Sequence, residues 1–222
     1  MTTKIYQLRV ELEGSVPKVW RSILVSPDID LFELHQIIQT TMGWENKHHH
    51  RFGIGRRMYA PEELEVYDAR DSRKMKLKNA LKAEKDSMTY EYDFGDSWVH
   101  NVILVRILPK ETVKKFPYCK KGKGGCPEEG IGGIMAHNKT IGDFYNFNDE
   151  YCTIERIGFE DDFRPELFNR REVNQYLQMN DYGCDKYDAT RSNTQGLFTC
   201  LNCKFRNFCL SDLNDDDDDD EI

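Results

Sequence analysis

Two groups of side chains in this 222-residue chain have the types and spacing to do chemistry. Toward the C-terminus, Cys200-Leu201-Asn202-Cys203 is followed by Cys209, and Cys184 supplies a fourth thiol. Two cysteines separated by two residues bind one ion from a single tight turn. Four thiolates complete a tetrahedral zinc site or hold a four-iron cluster, and this set suits either. The segment has few aliphatic residues with which to build a core, so the metal is what would fold it. The second group comprises His48, His50, Asp93, Asp96, His100 and Glu129. Imidazoles and carboxylates gathered on one side of a sheet would bind a divalent cation or transfer protons. Each also has a structural role to weigh against that. Asp93 and Asp96 flank Gly95, where Asp side chains bond to turn backbone. His100 falls on the apolar side of its strand, where a neutral imidazole pairs with a tyrosine or a carboxylate. Cys119 and Cys126, with six residues between them, would need a distant histidine such as His48 or His137 to hold a metal, and packing is the simpler role.

A hairpin must position the second group. Met88, Tyr90, Tyr92 and Phe94 alternate with Thr89, Glu91 and Asp93, the period of a half-buried strand. Trp98, His100, Val102 and Leu104 alternate with Val99, Asn101, Ile103 and Val105. A three-residue loop over 95–97 sets Phe94 opposite Trp98, Tyr92 opposite His100, Met88 opposite Leu104 and Glu91 opposite Asn101, so that apolar faces apolar.

Around it, residues 6–12 and 19–25 form two antiparallel strands joined by a turn over 13–18. A helix follows. Asp30 caps it, Glu33 completes a capping box, Leu31, Leu34, Ile37, Ile38 and Met42 mark its apolar face, and Gly43 ends it. Residues 48–54 suit a third strand. Residues 60–74 form a charged loop with a short strand near 64–67, and residues 75–83 a short helix. From Pro109 the chain turns basic and rich in Gly and Pro, and Lys110 to Lys123 belong to a solvated loop whose lysines could also meet phosphates. Later helices span 140–145, 148–157 and 169–178, the last capped by Asn169 with Glu172 and facing inward through Val173, Tyr176 and Leu177.

The run YEYDFGDSWVH at 90–100 resembles the hallmark of the plasmid pRiA4b ORF-3-like family, which includes insertion-element passenger proteins labelled TnpR. Other stretches resemble the same family. Gly43, Trp44, His48, His50 and Phe52 match its Gly-Trp and His-rich segment. Pro117, Cys119, Cys126, Pro127, Glu129, Gly132 and Gly133 match its Cys-Pro and Gly-Gly loop, with Glu128 in place of a second Pro and Gly130 in place of an Asp. Phe163, Pro165, Glu166, Phe168, Glu172, Val173 and Asn174 match its closing segment. The resemblance covers about residues 4–180 and implies no specific activity. The C-terminal cysteine run is locally similar to the iron–sulfur clasp of Cas4-like nucleases and to the SPASM modules of radical enzymes, without their reaction motifs.

The expected fold is α+β: a mainly antiparallel sheet with a helix packed on one face, following a strand-strand-helix-strand start that is compatible with a β-grasp arrangement. Further helices come after it, then a small Cys-rich lobe. The expected domains are 1–180, a metal-binding lobe at 181–210 and a disordered acidic tail at 211–222. Within it, Asp215 to Asp220 and Glu221 carry seven of the negative charges behind a net charge of −8, so the rest sums to −1 and gives no bulk support to nucleic-acid binding. No apolar run is long enough for a transmembrane helix, and the N-terminus alternates like a strand, so a cytoplasmic protein is expected, with thiols reduced or bound to metal. The sequence has no G-x-x-x-x-G-K-S, G-x-G-x-x-G or H-E-x-x-H motif. The leading expectation is a non-enzymatic binding or adaptor domain with an unknown protein or nucleic-acid partner. The alternatives are a metal-dependent enzyme acting on nucleic acid through the Asp and His set, and an iron–sulfur redox or iron sensor.

Overall fold

A computed structural model of the chain describes residues 4–64, 66–147 and 168–178. The alternation at the N-terminus gives β1 (Lys4–Leu12), which pairs antiparallel with β2 (Trp20–Val25). Helix α1 (Leu31–Met42) follows. Asp30 Oδ1 accepts from Glu33 N, Glu33 Oε2 accepts from Asp30 N, and Gly43 closes the helix with φ +91°, a conformation that glycine adopts without steric cost. Leu31, Leu34, Ile37, Ile38 and Met42 are all buried and share one core with the inner faces of the strands.

The remaining strands are β3 (His50–Ile54), β4 (Arg57–Ala60), β5 (Ala69–Asp71), β6 (Ser87–Tyr92), β7 (Trp98–Pro109) and β8 (Tyr118–Lys123). One turn of helix, α2 (Leu77–Ala80), precedes β6. Among the described residues these build one eight-stranded sheet in the order β5-β4-β3-β6-β7-β1-β2-β8. Its one parallel pair, β4–β5, lies at an edge, so the central parallel pair of a β-grasp arrangement is not what this chain forms. Helix α3 (Gly133–Phe147) starts beside the β1–β2 turn, where the Asn138 amide donates to Gly14 O and accepts from Val16 N. Helix α4 (Arg170–Gln178) lies along β8, with Asn169 Oδ1 accepting from Glu172 N and Leu177 buried.

Four expectations are corrected. The central hairpin pairs two residues out from the expected register: Tyr92 faces Trp98, Tyr90 faces His100, Met88 faces Val102 and Thr89 faces Asn101. Asp93 is the reason. It turns out of the ladder at φ +56°, its Oδ1 accepts from Gly95 N, and its carbonyl accepts from Ser97 N. The loop is therefore five residues long, and Phe94 is pushed outward, 40% exposed. A shift of two residues preserves the faces, so Met88, Tyr90, Tyr92, Trp98, His100, Val102 and Leu104 are buried as expected and Phe94 alone leaves the set. The strand expected near 64–67 lies at Ala69–Asp71, after a 3₁₀ turn at Glu62–Leu64. The basic region after Pro109 contains β8, which pairs with β2 while its lysines line a strand at the sheet edge. Helix α3 begins at Gly133, seven residues before the expected start at Thr140, because the paired glycines form its entry. The expected helix at 148–157, the cysteine lobe and the acidic tail lie outside the described residues. No described helix is long and apolar enough to cross a membrane.

Candidate functional site

At the tip of the β6–β7 hairpin, three segments meet: the stretch between α1 and β3, the hairpin loop, and the Gly-rich stretch between β8 and α3. Trp44 enters first. Its ring packs 5.0 Å from Tyr92, 6.1 Å from Trp98 and edge-on to His100 at 5.1 Å, and its Nε1 donates to Pro127 O at 3.0 Å. Glu129 then reaches back: its Oε1 accepts from the Tyr92 hydroxyl and from Glu45 N, both at 2.8 Å. Asp96 makes the third tie, with Oδ2 accepting from Gly132 N at 3.2 Å. A Cβ on Gly133 would stand 2.6 Å from Asp96 O, so only glycine allows this approach.

Where these segments meet, His48, Asp93 and Glu129 face one another. His48 Nε2 lies 3.6 Å from Asp93 Oδ2 and 3.8 Å from Glu129 Oε2, beyond hydrogen-bond range of both. Glu129 Oε2 is buried and has no hydrogen-bond partner. The two carboxylate side chains are 12% and 11% exposed and the imidazole 39%, so the acids form the floor of the seam and the imidazole its rim. Burial, reinforced by the hydrogen bond to Glu129, pushes the Tyr92 phenol far above its ordinary value, so Tyr92 stays a donor.

A second polar centre supports the segment that carries His48. Asn46 N donates to Gln39 Oε1 at 3.0 Å, Gln39 Nε2 donates to the Tyr90 hydroxyl at 2.8 Å, that hydroxyl meets His35 Nδ1 at 2.8 Å, and His35 Nε2 meets Asn46 Oδ1 at 2.7 Å. Asn46 Oδ1 can only accept, so His35 carries its proton on Nε2 and Tyr90 donates to Nδ1. The four bonds close a ring in which each residue both donates and accepts, Asn46 donating through its backbone N–H. It ties α1 and β6 to Asn46, two residues before His48. Burial holds the His35 imidazole at about 3, in keeping with its neutral place in the ring.

The expected site residues therefore separate. His48, Asp93 and Glu129 come together. Asp96 is a strut for Gly132. His50 stacks on His35 with centroids 3.4 Å apart, and His100 lies in the core with Nδ1 3.3 Å from Tyr90 O. The Nε2 atoms of both are buried without a partner. Cys119 is a core residue whose thiol donates to Lys121 O, and burial pushes it up to about 11; the Cys126 thiol is raised further, also by burial. Among the described residues, no three His, Cys, Asp or Glu side chains are arranged to hold a metal ion. Cys184, Cys200, Cys203 and Cys209 lie outside those residues. Sequence reasoning missed His35, Gln39, Trp44 and Tyr92 as parts of the site. His35 and Gln39, four apart and bordering the apolar stripe of α1, were the signal that a buried polar pair lay there.

An eight-stranded, mainly antiparallel sheet with one capped helix on its inner face and a carboxylate–imidazole seam at its central hairpin defines an α+β class. Within it, the chain belongs to the plasmid pRiA4b ORF-3-like protein family, which it matches over residues 4–172. It is similar to an uncharacterized protein, y4hQ, of Sinorhizobium fredii (strain NBRC 101917 / NGR234): 32% identical over 145 residues, covering 63% of this chain and 72% of that protein. It is also similar to the crystal structure of MM3350, a protein of unknown function from Methanosarcina mazei Go1, with a TM-score of 0.65 and 27% identity, covering 78% of this chain and 99% of that one.

Proposed function

We propose that the chain is a non-enzymatic binding or adaptor domain, of the kind carried by plasmids and mobile elements, and that its ligand sits in the seam between His48, Asp93 and Glu129. The observation that carries this reading is the division of labour within Glu129. One oxygen is held by Tyr92 and Glu45, and the other is buried with no hydrogen-bond partner. An unsatisfied buried acceptor costs roughly 1–3 kcal/mol, and more when charged. A ligand donor reaching Oε2 would remove that cost.

A panel of small cationic, anionic and neutral fragments, titrated into the ¹⁵N-labelled full chain, tests the reading. Saturable shifts are expected at the amides of Glu45, Lys47, Tyr92, Asp93 and residues 129–132. Shifts confined to other surfaces, or none from any fragment, would contradict it.

A second reading, an enzyme acting on nucleic acid through the same groups, draws on the imidazole standing within 4 Å of two carboxylates, which suits acid–base chemistry. Turnover of a nucleic-acid substrate that disappears with His48→Ala would favour it over binding alone.

The C-terminal lobe belongs to the same proposal as a metal-stabilised clasp of Cys184, Cys200, Cys203 and Cys209, holding zinc or a four-iron cluster. Anaerobically purified protein is expected to carry one zinc or about four irons that the Cys200→Ser/Cys203→Ser variant loses. Equal metal in both forms would remove the clasp. Iron with visible absorbance would shift its role toward redox or iron sensing.

A further inference from the structure

We infer that the seam is a seat for a guanidinium group presented by an arginine of a protein partner. This rests on the seam being a ligand site, as proposed above, and names the chemistry it takes.

The protein shows in three other places what fills such a seat. Arg51 Nε donates to Glu91 Oε2 at 2.6 Å, and its guanidinium lies over the Phe94 ring at 5.0 Å. Arg9 Nε donates to Glu11 Oε2 at 2.9 Å with the guanidinium over Trp20 at 4.1 Å. Arg73 Nη1 donates to Glu63 Oε2 at 2.7 Å with the guanidinium over Phe32 at 4.2 Å. Each site combines a carboxylate, an aromatic ring and a guanidinium.

The seam has the acidic part in fuller measure and a ring beside it. It offers two carboxylates, and the Tyr92 and His48 rings form a T-shaped pair with centroids 5.9 Å apart. In place of a guanidinium it has the His48 imidazole, which is too far from either acid to bond to it. The geometry suits the larger donor. Asp93 Oδ2 and Glu129 Oε2 lie 3.6 and 3.8 Å from one point, the position of His48 Nε2. A guanidinium carries five N–H donors in a planar fork and can serve two carboxylates at once, which an ammonium does less well. Room for it does not require opening the core, because the His48 side chain is 39% exposed and can swing into solvent. The acids need no rearrangement: Asp93 Oδ1 is fixed by Gly95 N, and Glu129 Oε1 by Tyr92 and Glu45, leaving Oδ2 and Oε2 turned toward the seam.

The test titrates the ¹⁵N-labelled full chain with three capped tripeptides, acetyl-Gly-Arg-Gly-amide, its lysine analogue and its citrulline analogue, and separately with zinc and manganese chlorides. Citrulline keeps the shape of arginine and lacks its charge. The arginine peptide is expected to shift the seam amides saturably, at least about tenfold more tightly than the citrulline peptide. Glu129→Gln and Asp93→Asn are each expected to weaken it at least about tenfold. Both variants keep the oxygen the fold uses, and asparagine tolerates the left-handed backbone at position 93, so unchanged amide shifts elsewhere will show that they fold. Equal binding of arginine and citrulline peptides, or tighter binding of the lysine peptide, overturns the inference. So does a seam response to zinc or manganese and none to arginine, which would make the seam a metal site. If another fragment from the panel fills the seam and the arginine peptide does not, the binding reading stands and this inference falls. If nothing does, both fall.

Discussion

Trp98 lies wholly inside the core, opposite Tyr92 on the β6–β7 ladder and 6.1 Å from Trp44. Truncating it would open a cavity beneath Trp44, where the hairpin, the stretch after α1 and the Gly-rich stretch converge. Trp98→Ala is expected to destabilise the protein by roughly 3–5 kcal/mol, the range for large aromatic truncations in cores. An unchanged urea midpoint would contradict that placement. The neighbouring acids differ by role despite their shared motif. Asp96 meets one backbone N–H on a partner loop. Asp93 shapes its own turn with one oxygen and faces the seam with the other. Their residue type and spacing marked them in the sequence, but nothing local distinguished a strut from a seat wall, because the difference depends on where residues 129–132 return in space.

Among the elements, α4 does the least expected work. Asn174 accepts from Cys119 N at 2.7 Å and donates to Cys119 O at 2.9 Å, so its side-chain amide pairs with β8 as another strand would. Gln178 donates to Pro117 O and Arg170 to Lys120 O. Phe168 lies against Gly122, where a Cβ would come within 2.5 Å of the ring, and the Arg21 guanidinium lies over that ring at 4.0 Å. An edge strand with open N–H and C=O groups invites pairing with another chain, and α4 covers this one. Asn174→Ala is expected to cost roughly 1–3 kcal/mol, from two lost bonds and two bared backbone groups. It should also bring on concentration-dependent association, seen by light scattering. A monomer of unchanged stability would refute the capping role. The elements with a strong local signal were legible in advance: α1 from its capping box and apolar stripe, β1, β2, β6 and β7 from alternation. Those held by distant partners were not. β8 reads as a lysine- and glycine-rich loop because half its pairing comes from β2 and its outer edge is capped by side chains some fifty-five residues on. The hairpin register slipped because a left-handed Asp93 lengthens the loop without disturbing which face is apolar.

For the whole molecule, burial disfavours the charged form of four imidazoles. It holds His35 at about 3 and His100 at about 4, lowers His137, and depresses His50 well below 6.5, with His35 and Arg73 nearby adding to the effect. The unfolded chain takes up protons on these residues once pH drops below about 6.5, while the folded chain does not. Their contribution is thus complete above that pH and is lost progressively as pH falls toward about 4 and then 3. Urea midpoints should decline steadily from pH 7 to pH 4.5, and a flat profile over that interval would contradict the burial of these imidazoles in neutral form. The buried hydrogen-bond ring of His35 holds Asn46, and through it the approach to His48, so the seam depends on the integrity of the core below it. Its role as a ligand seat is tested most directly by a crystal structure of the full chain grown with acetyl-Gly-Arg-Gly-amide. The guanidinium is expected within hydrogen-bond distance of Glu129 Oε2 and Asp93 Oδ2, with His48 turned to solvent. A seam still closed by His48, with the peptide bound elsewhere or not at all, would contradict it.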